Sequence, residues 1–102
     1  MLDLCVLATL VEQERHGYGI ASRLEEAGLA RVQGGTLYPA LARLQAAGHV
    51  TARWEQGERG PGRKYYALTD DGRELLREQG SAWIAFARTT EELIEPGGLD
   101  DA

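Results

Sequence analysis

The sequence predicts a mainly α-helical chain with one small β-hairpin, in the order helix, helix, helix, hairpin, long helix. Three observations predict it. Apolar residues recur at spacings of three and four through the first half of the chain. The period then falls to two in "HVTARWE" and "RKYYAL". Three-four spacing returns after Thr69 and runs to about Ile94. With 102 residues and no internal repeat or linker, the chain fits one small domain, whose modest core leaves room for stabilisation by a partner subunit.

The first helix is expected from Leu4 to Glu14. Leu4, Leu7, Ala8 and Val11 share one face, Cys5, Val6 and Leu10 widen it, and Asp3 is placed to cap it. In "HGYGIASRLEEAG", Ile20, Ala21, Leu24 and Ala27 form the stripe of a second helix, and Gly28 falls where a left-handed C-cap belongs. The third helix comes from "RVQGGTLYPALARL", with Leu37, Leu41 and Leu44 as its buried stripe and Gly48 again at the C-cap position. Two helices joined by a short turn, the second with polar residues at its start, have the layout of a helix-turn-helix.

In the hairpin, Val50, Ala52 and Trp54 alternate with Thr51, Arg53 and Glu55, while Tyr66 and Leu68 oppose Tyr65. The intervening "QGERGPG" supplies turn residues, and Arg59, Arg63 and Lys64 make a basic tip. Thr69 is a cap for the last helix, with Asp70 and Asp71 near its positive end, and "EPGG" stops it. Residues 96–102 are expected to be a disordered tail.

Net charge is −5, which alone argues against a phosphate-bearing partner. The distribution reverses this. From Arg31 to Lys64 there are six basic and two acidic residues, so this segment carries +4 and the rest of the chain −9. The single cysteine, Cys5, sits among Leu4, Val6 and Leu7 as a small apolar residue, which suits a reducing cytoplasm. The longest nearly apolar run, Leu4 to Val11, is far short of the ~20 residues that span a bilayer. A cytoplasmic protein without membrane contact is expected.

The chemistry concentrates at the start of the third helix. Glycines let a backbone approach a surface closely, and the free N–H groups of a helix start suit phosphate oxygens. Thr36 can cap the helix or bond a phosphate. Pro39 forfeits no intrahelical bond if it lies in the first turn, and Tyr38 offers a hydroxyl on a rigid arm. Arg43 adds charge two turns in. The bland reading is a glycine-rich turn into an ordinary core helix, but the neighbouring basic hairpin disfavours it. Gly34 and Gly35 do not make a nucleotide loop, because no Lys-Ser or Lys-Thr follows and no strand precedes. His16 and His49 have no acid or cysteine cluster around them, so a capping or structural histidine is the reading for His16; no metal, cofactor or enzymatic activity is expected.

Along the last helix Leu76, Gln79, Trp83, Phe86, Thr90 and Leu93 alternate by three and four, a broad coiled-coil-like face. Trp83, Phe86 and Leu93 lie beyond the turns that reach a small core, so a second copy of the chain is expected against them.

The blocks "HGYGIASRL", "GGTLYPALARLQAAGHV" and "GRKYYALTDDG", at their mutual spacing, resemble the PadR family of bacterial transcriptional regulators. The resemblance covers nearly the whole chain and is to the compact subgroup with a short C-terminal helix. It implies a winged helix-turn-helix DNA-binding domain over 1–68 and a dimerisation helix over 69–95. The implied function is a sequence-specific regulator, a repressor by family lean, that binds a pseudo-palindromic operator as a homodimer. DNA contacts are then expected from Tyr18, Gln33, Gly35, Thr36, Tyr38, Pro39, Arg43, Arg59, Arg63 and Lys64, with helix packing as the rival role for Tyr18. Leu4 and Leu7 join the last helix in the expected dimer interface. Some members of the family sense drugs or phenolic compounds, so Trp83 and Phe86 are candidates for a small planar apolar effector, against the plainer role of interface anchors. The competing class is a protein-interaction or ligand-sensing module of the same fold that does not bind DNA, a reading kept open by the overall acidity and the single lysine.

Overall fold

A computed structural model describes residues 1–57 and 60–95. The order is α1 (Leu2–Thr9), β1 (Arg15–His16), α2 (Gly17–Glu26), α3 (Gly34–Ala46), β2 (Val50–Glu55), β3 (Arg63–Leu68) and α4 (Asp70–Ile94). Arg59 and the tail 96–102 lie outside the described residues.

The core forms where the first three helices meet the base of the hairpin. Val6, Leu7 and Leu10 pack with Ile20 and Leu24, with Leu37, Leu41 and Leu44, and with Val50 and Tyr66. Burial of these apolar side chains is the main stabilising term. Both helix-ending glycines take the expected left-handed backbone, at φ 104° for Gly28 and 81° for Gly48. Thr69 caps α4 by accepting the Gly72 amide at 3.0 Å, and Asp70 and Asp71 occupy the first turn.

The sheet has three antiparallel strands in the order β1-β3-β2. The expected hairpin is β2–β3, in a register pairing Val50 with Leu68, Ala52 with Tyr66 and Trp54 with Lys64. The third strand, β1, is an addition: Arg15 and His16 pair with Tyr66 and Tyr65. Two residues are too few to display a period of two. This strand also corrects the first helix, which ends at Thr9 rather than Glu14. Arg15 Nε donates to the Thr9 carbonyl at 2.7 Å, so the chain turns back at the helix end and leaves Val11 exposed. Asp3 is not the N-cap either; Met1 holds that position, and Asp3 lies in the first turn. Trp54, on the same side of the alternation as the buried Val50, is 72% exposed because the hairpin runs beyond the core.

α4 packs against α1 and β3 through its first turns, where Leu75 and Leu76 lie on the core. Its 25 residues reach about 37 Å, and Trp83, Ile84, Phe86, Leu93 and Ile94 stay exposed along it. Among the described residues no helix is long and apolar enough to cross a membrane.

Candidate nucleic-acid interface

The start of α2, the start of α3 and the outer part of the hairpin converge on one cleft of about 550 Å³. His16, Tyr18, Tyr38, Trp54, Arg63 and Lys64 line it, and among the described residues no carboxylate does. His16 ends β1 and caps α2, its Nδ1 accepting the Gly19 amide at 3.1 Å, so the capping role expected of it is the one observed. Tyr18 follows in the first turn of α2. Its ring, 64% exposed, stacks on His16 with centroids 6.3 Å apart, and the Arg31 guanidinium sits 5.8 Å from its centroid.

α3 begins earlier than the sequence pattern suggests. Gln33 is the N-cap and makes no side-chain cap bond, and Gly34 and Gly35 are the first two helical residues rather than a turn before the helix. The Gln33 carbonyl accepts both the Thr36 and the Leu37 amide at 2.9 Å. Thr36 is therefore not the cap; it is an exposed third residue with its hydroxyl free to face a partner. Pro39 falls in the second turn, where its missing N–H leaves the Gly35 carbonyl without an intrahelical donor. An added Cβ at Gly35 would meet nothing within 4 Å, so backbone is bared at this end of the helix. Tyr38 lies across the start of α2. A Cβ at Gly17 would fall 2.5 Å from its hydroxyl oxygen and one at Gly34 would fall 3.5 Å from its ring. The two glycines thus form the bed on which a 53%-exposed tyrosine rests.

The basic segment does not act as one surface. Arg31 pairs with Glu25 at 3.7 Å and Arg43 with Asp3 at 3.0 Å. Arg53 is held between Glu14 and Glu55, which raises its pKa through the Glu14 hydrogen bond first and lowers that of Glu14 in return. Arg63 and Lys64 pair with no carboxylate among the described residues, so the uncompensated positive charge sits at the cleft. Lys64 Nζ lies 5.7 Å from the Tyr66 centroid. Of the expected DNA contacts, Tyr18, Tyr38, Arg63 and Lys64 share the cleft, while Gln33, Gly35, Thr36 and Pro39 lie exposed along the α3 start. Arg43 is turned toward α1. Trp54 and Arg31 are additions that sequence patterns do not reveal: alternation groups Trp54 with Val50 and Ala52, and only the fold brings Arg31 onto Tyr18.

The second surface follows α4. Met1, Asp3, Leu4, Gln79, Trp83 and Phe86 border a depression of about 400 Å³, and Trp83, Phe86, Ala87, Thr90 and Ile94 a groove of about 430 Å³ beyond it. Thr90 donates its hydroxyl to the Phe86 carbonyl at 2.8 Å, so it presents no unmet polar group there. Leu7 is corrected: it is 1% exposed inside the chain's own core and offers no surface to a second copy. Leu76 is half-buried against that core as well.

A sequence profile of the transcriptional regulator PadR-like family matches residues 6–78. The fold is similar to a PadR-like transcriptional regulator of Bacillus cereus, 32% identical with a TM-score of 0.82 over 92% of this chain and 91% of that one. It is also similar to a PadR family regulator of Eggerthella lenta, 33% identical with a TM-score of 0.81 over 92% and 81%. Bacillus subtilis PadR in complex with operator DNA is 29% identical with a TM-score of 0.70 over 76% of this chain and 44% of that one. A 37.1 kDa protein in transposon TN4556 of Streptomyces fradiae is 40% identical over 99% of this chain, which spans 26% of that protein's length.

Proposed function

The chain belongs to the transcriptional regulator PadR-like family, and from that premise we propose that it binds operator DNA sequence-specifically as a homodimer and represses transcription in the cytoplasm. The observation that carries the reading is the cleft where both helix starts meet two wing cations that, among the described residues, no carboxylate pairs with. Residues 1–68 form the reading head, with α3 in the major groove and the wing on the backbone or in the minor groove. Residues 69–95, with Leu4 of α1, join two copies through Gln79, Trp83, Phe86, Thr90 and Leu93, so that the operator repeats the two-fold symmetry of the protein. Trp83 and Phe86 serve first as anchors of that contact. A small planar apolar effector seated beside them would change the spacing of the two heads and release the operator.

Footprinting and anisotropy on the DNA upstream of the chain's own gene test the reading. Binding should weaken steeply with salt, and Arg63→Ala with Lys64→Ala should lower the log-log slope by about 0.9 for each phosphate that is no longer neutralised. Unchanged affinity and slope in the double variant would remove the wing from the interface. A protein that dimerises yet binds no DNA at low salt would favour the interaction module consistent with its net charge of −5.

A further inference from the structure

His16 is held at both ring nitrogens by groups that can only donate. The Gly19 amide lies 3.1 Å from Nδ1 and Arg63 Nη1 lies 3.2 Å from Nε2. The Tyr65 ring packs edge-on at 5.3 Å and the Tyr18 ring stacks at 6.3 Å, contacts that restrain the imidazole plane. Burial first, and the Arg63 charge second, hold the His16 pKa below its ordinary 6.5, so the ring is neutral at pH 7. A neutral imidazole has one N–H and one lone pair for hydrogen bonding. Two donors therefore meet a single acceptor. The amide at the start of α2 takes the lone pair of Nδ1, which puts the ring proton on Nε2, facing the guanidinium donor on donor.

An oxygen lying between Nε2–H and Nη1–H would accept from both. The space in front of them is the cleft, lined also by Lys64, Tyr18 and Tyr38 and, among the described residues, by no carboxylate. Any oxygen would satisfy the two donors, but Arg63 and Lys64 favour an anionic one, and the cleft continues onto the exposed start of α3. We infer that the cleft grips one backbone phosphate of duplex DNA, with His16 Nε2–H and Arg63 Nη1–H as paired donors and Lys64 as the neighbouring charge. This rests on the DNA-binding reading and adds to it a hydrogen-bonding histidine. The phosphate replaces the opposed donors with two charge-assisted bonds and secures the tautomer that caps α2.

The test uses the full chain, ¹⁵N-labelled, titrated separately with inorganic phosphate, with chloride at matched ionic strength, and with a random-sequence 20-base-pair duplex. Long-range ¹H–¹⁵N spectra should show His16 protonated on Nε2. Phosphate and duplex should shift Nε2–H and the Arg63 guanidinium and slow the exchange of Nε2–H, whereas chloride should not. His16→Asn keeps a good N-cap and so keeps the helical spectrum. It should weaken duplex binding about tenfold at an unchanged salt slope, because a neutral donor is removed. Arg63→Gln should lower both the affinity and the slope, the latter by about 0.9. If the duplex binds while the His16 signals stay still and His16→Asn binds at full strength, the cradle is wrong and the DNA reading stands. If phosphate shifts the ring and no duplex binds at any salt, the inference and the DNA reading fall together. If His16→Asn loses its helical spectrum, the wild-type duplex titration decides: an unmoved Nε2–H overturns the cradle.

Discussion

Gly72→Ala separates helix propensity from tertiary packing, because the two predict opposite signs. On propensity alone, replacing a glycine inside α4 by alanine stabilises by up to about 1 kcal/mol. Gly72, however, is the third residue of α4 and lies against the turn between α3 and β2. An added Cβ would overlap the His49 carbonyl oxygen and stand 3.0 Å from its carbonyl carbon. That obstacle is backbone, tied down on every side. His49 N donates to the Leu44 carbonyl at 2.9 Å, Thr69 N donates to the His49 carbonyl at 3.2 Å, and the Thr69 hydroxyl donates to the Gly48 carbonyl at 2.6 Å. Relief requires the first turn of α4 to retreat, which disrupts the Thr69 cap at about 1 kcal/mol and adds an overpacking penalty of about 1–3 kcal/mol. After subtracting the propensity gain, the net loss is about 1–3 kcal/mol. In a domain of this size each kcal/mol moves Tm by about 4–8 °C, so the melting point should fall by roughly 5–20 °C. Gly80→Ala is the matched control: nothing lies within 4 Å of its added Cβ, and it should melt higher than the wild type. Calorimetry at several protein concentrations separates folding from association. A Gly72→Ala protein that melts at or above the wild type would refute the argument.

Three further outcomes follow from the same structure. Trp83→Ala should raise the dimer dissociation constant at least tenfold in sedimentation experiments, since an isologous interface forfeits the ring from both copies; wild-type association would show that the exposed face of α4 is not the interface. Asp3→Asn releases Arg43 from an exposed ion pair, so stability should change by less than about 1 kcal/mol. Operator affinity should hold or rise in that variant while Arg43→Ala lowers it, and equal losses in both would mean that Arg43 acts only through α1. The folded chain holds the His16 pKa below 6.5, so the unfolded chain binds its proton first on acidification and stability is lost as pH falls below about 6.5. Protonation also removes the Nδ1 acceptor that caps α2. Thermal melts at pH 7.5 and 5.5 should therefore show a smaller drop for His16→Asn than for the wild type, and identical drops would exclude this origin.

Much of the fold was legible because local periodicity and local chemistry agreed. The stripes of α2 and α3, the left-handed glycines at 28 and 48, the alternation of β2 and β3 and the Thr69 cap each depend on residues within a few positions of one another. Local signals carry no information about partners distant in sequence, and the larger revisions come from such partners; only the caps of α1 and α3 shift by a few positions. The end of α1 is decided by Arg15 bonding Thr9 and by β1 pairing with β3. The placement of Trp54 depends on how far the hairpin outruns the core, and that of Leu7 on which helices close over it.

The candidate site divides in the same way. Its residue types were readable: glycines and a tyrosine at a helix start and cations at a hairpin suggest a phosphate-bearing partner from sequence alone. The tertiary structure decided which cations remain uncompensated. Sequence counts Arg31, Arg43 and Arg53 equally with Arg63 and Lys64, yet folding sets Asp3 and Glu14 against Arg43 and Arg53 from about forty residues away. It also sets His16, the cap of α2, against Arg63 from 47 positions away. Composition fixes how much charge a chain carries; only the fold's long-range contacts determine where it is neutralised.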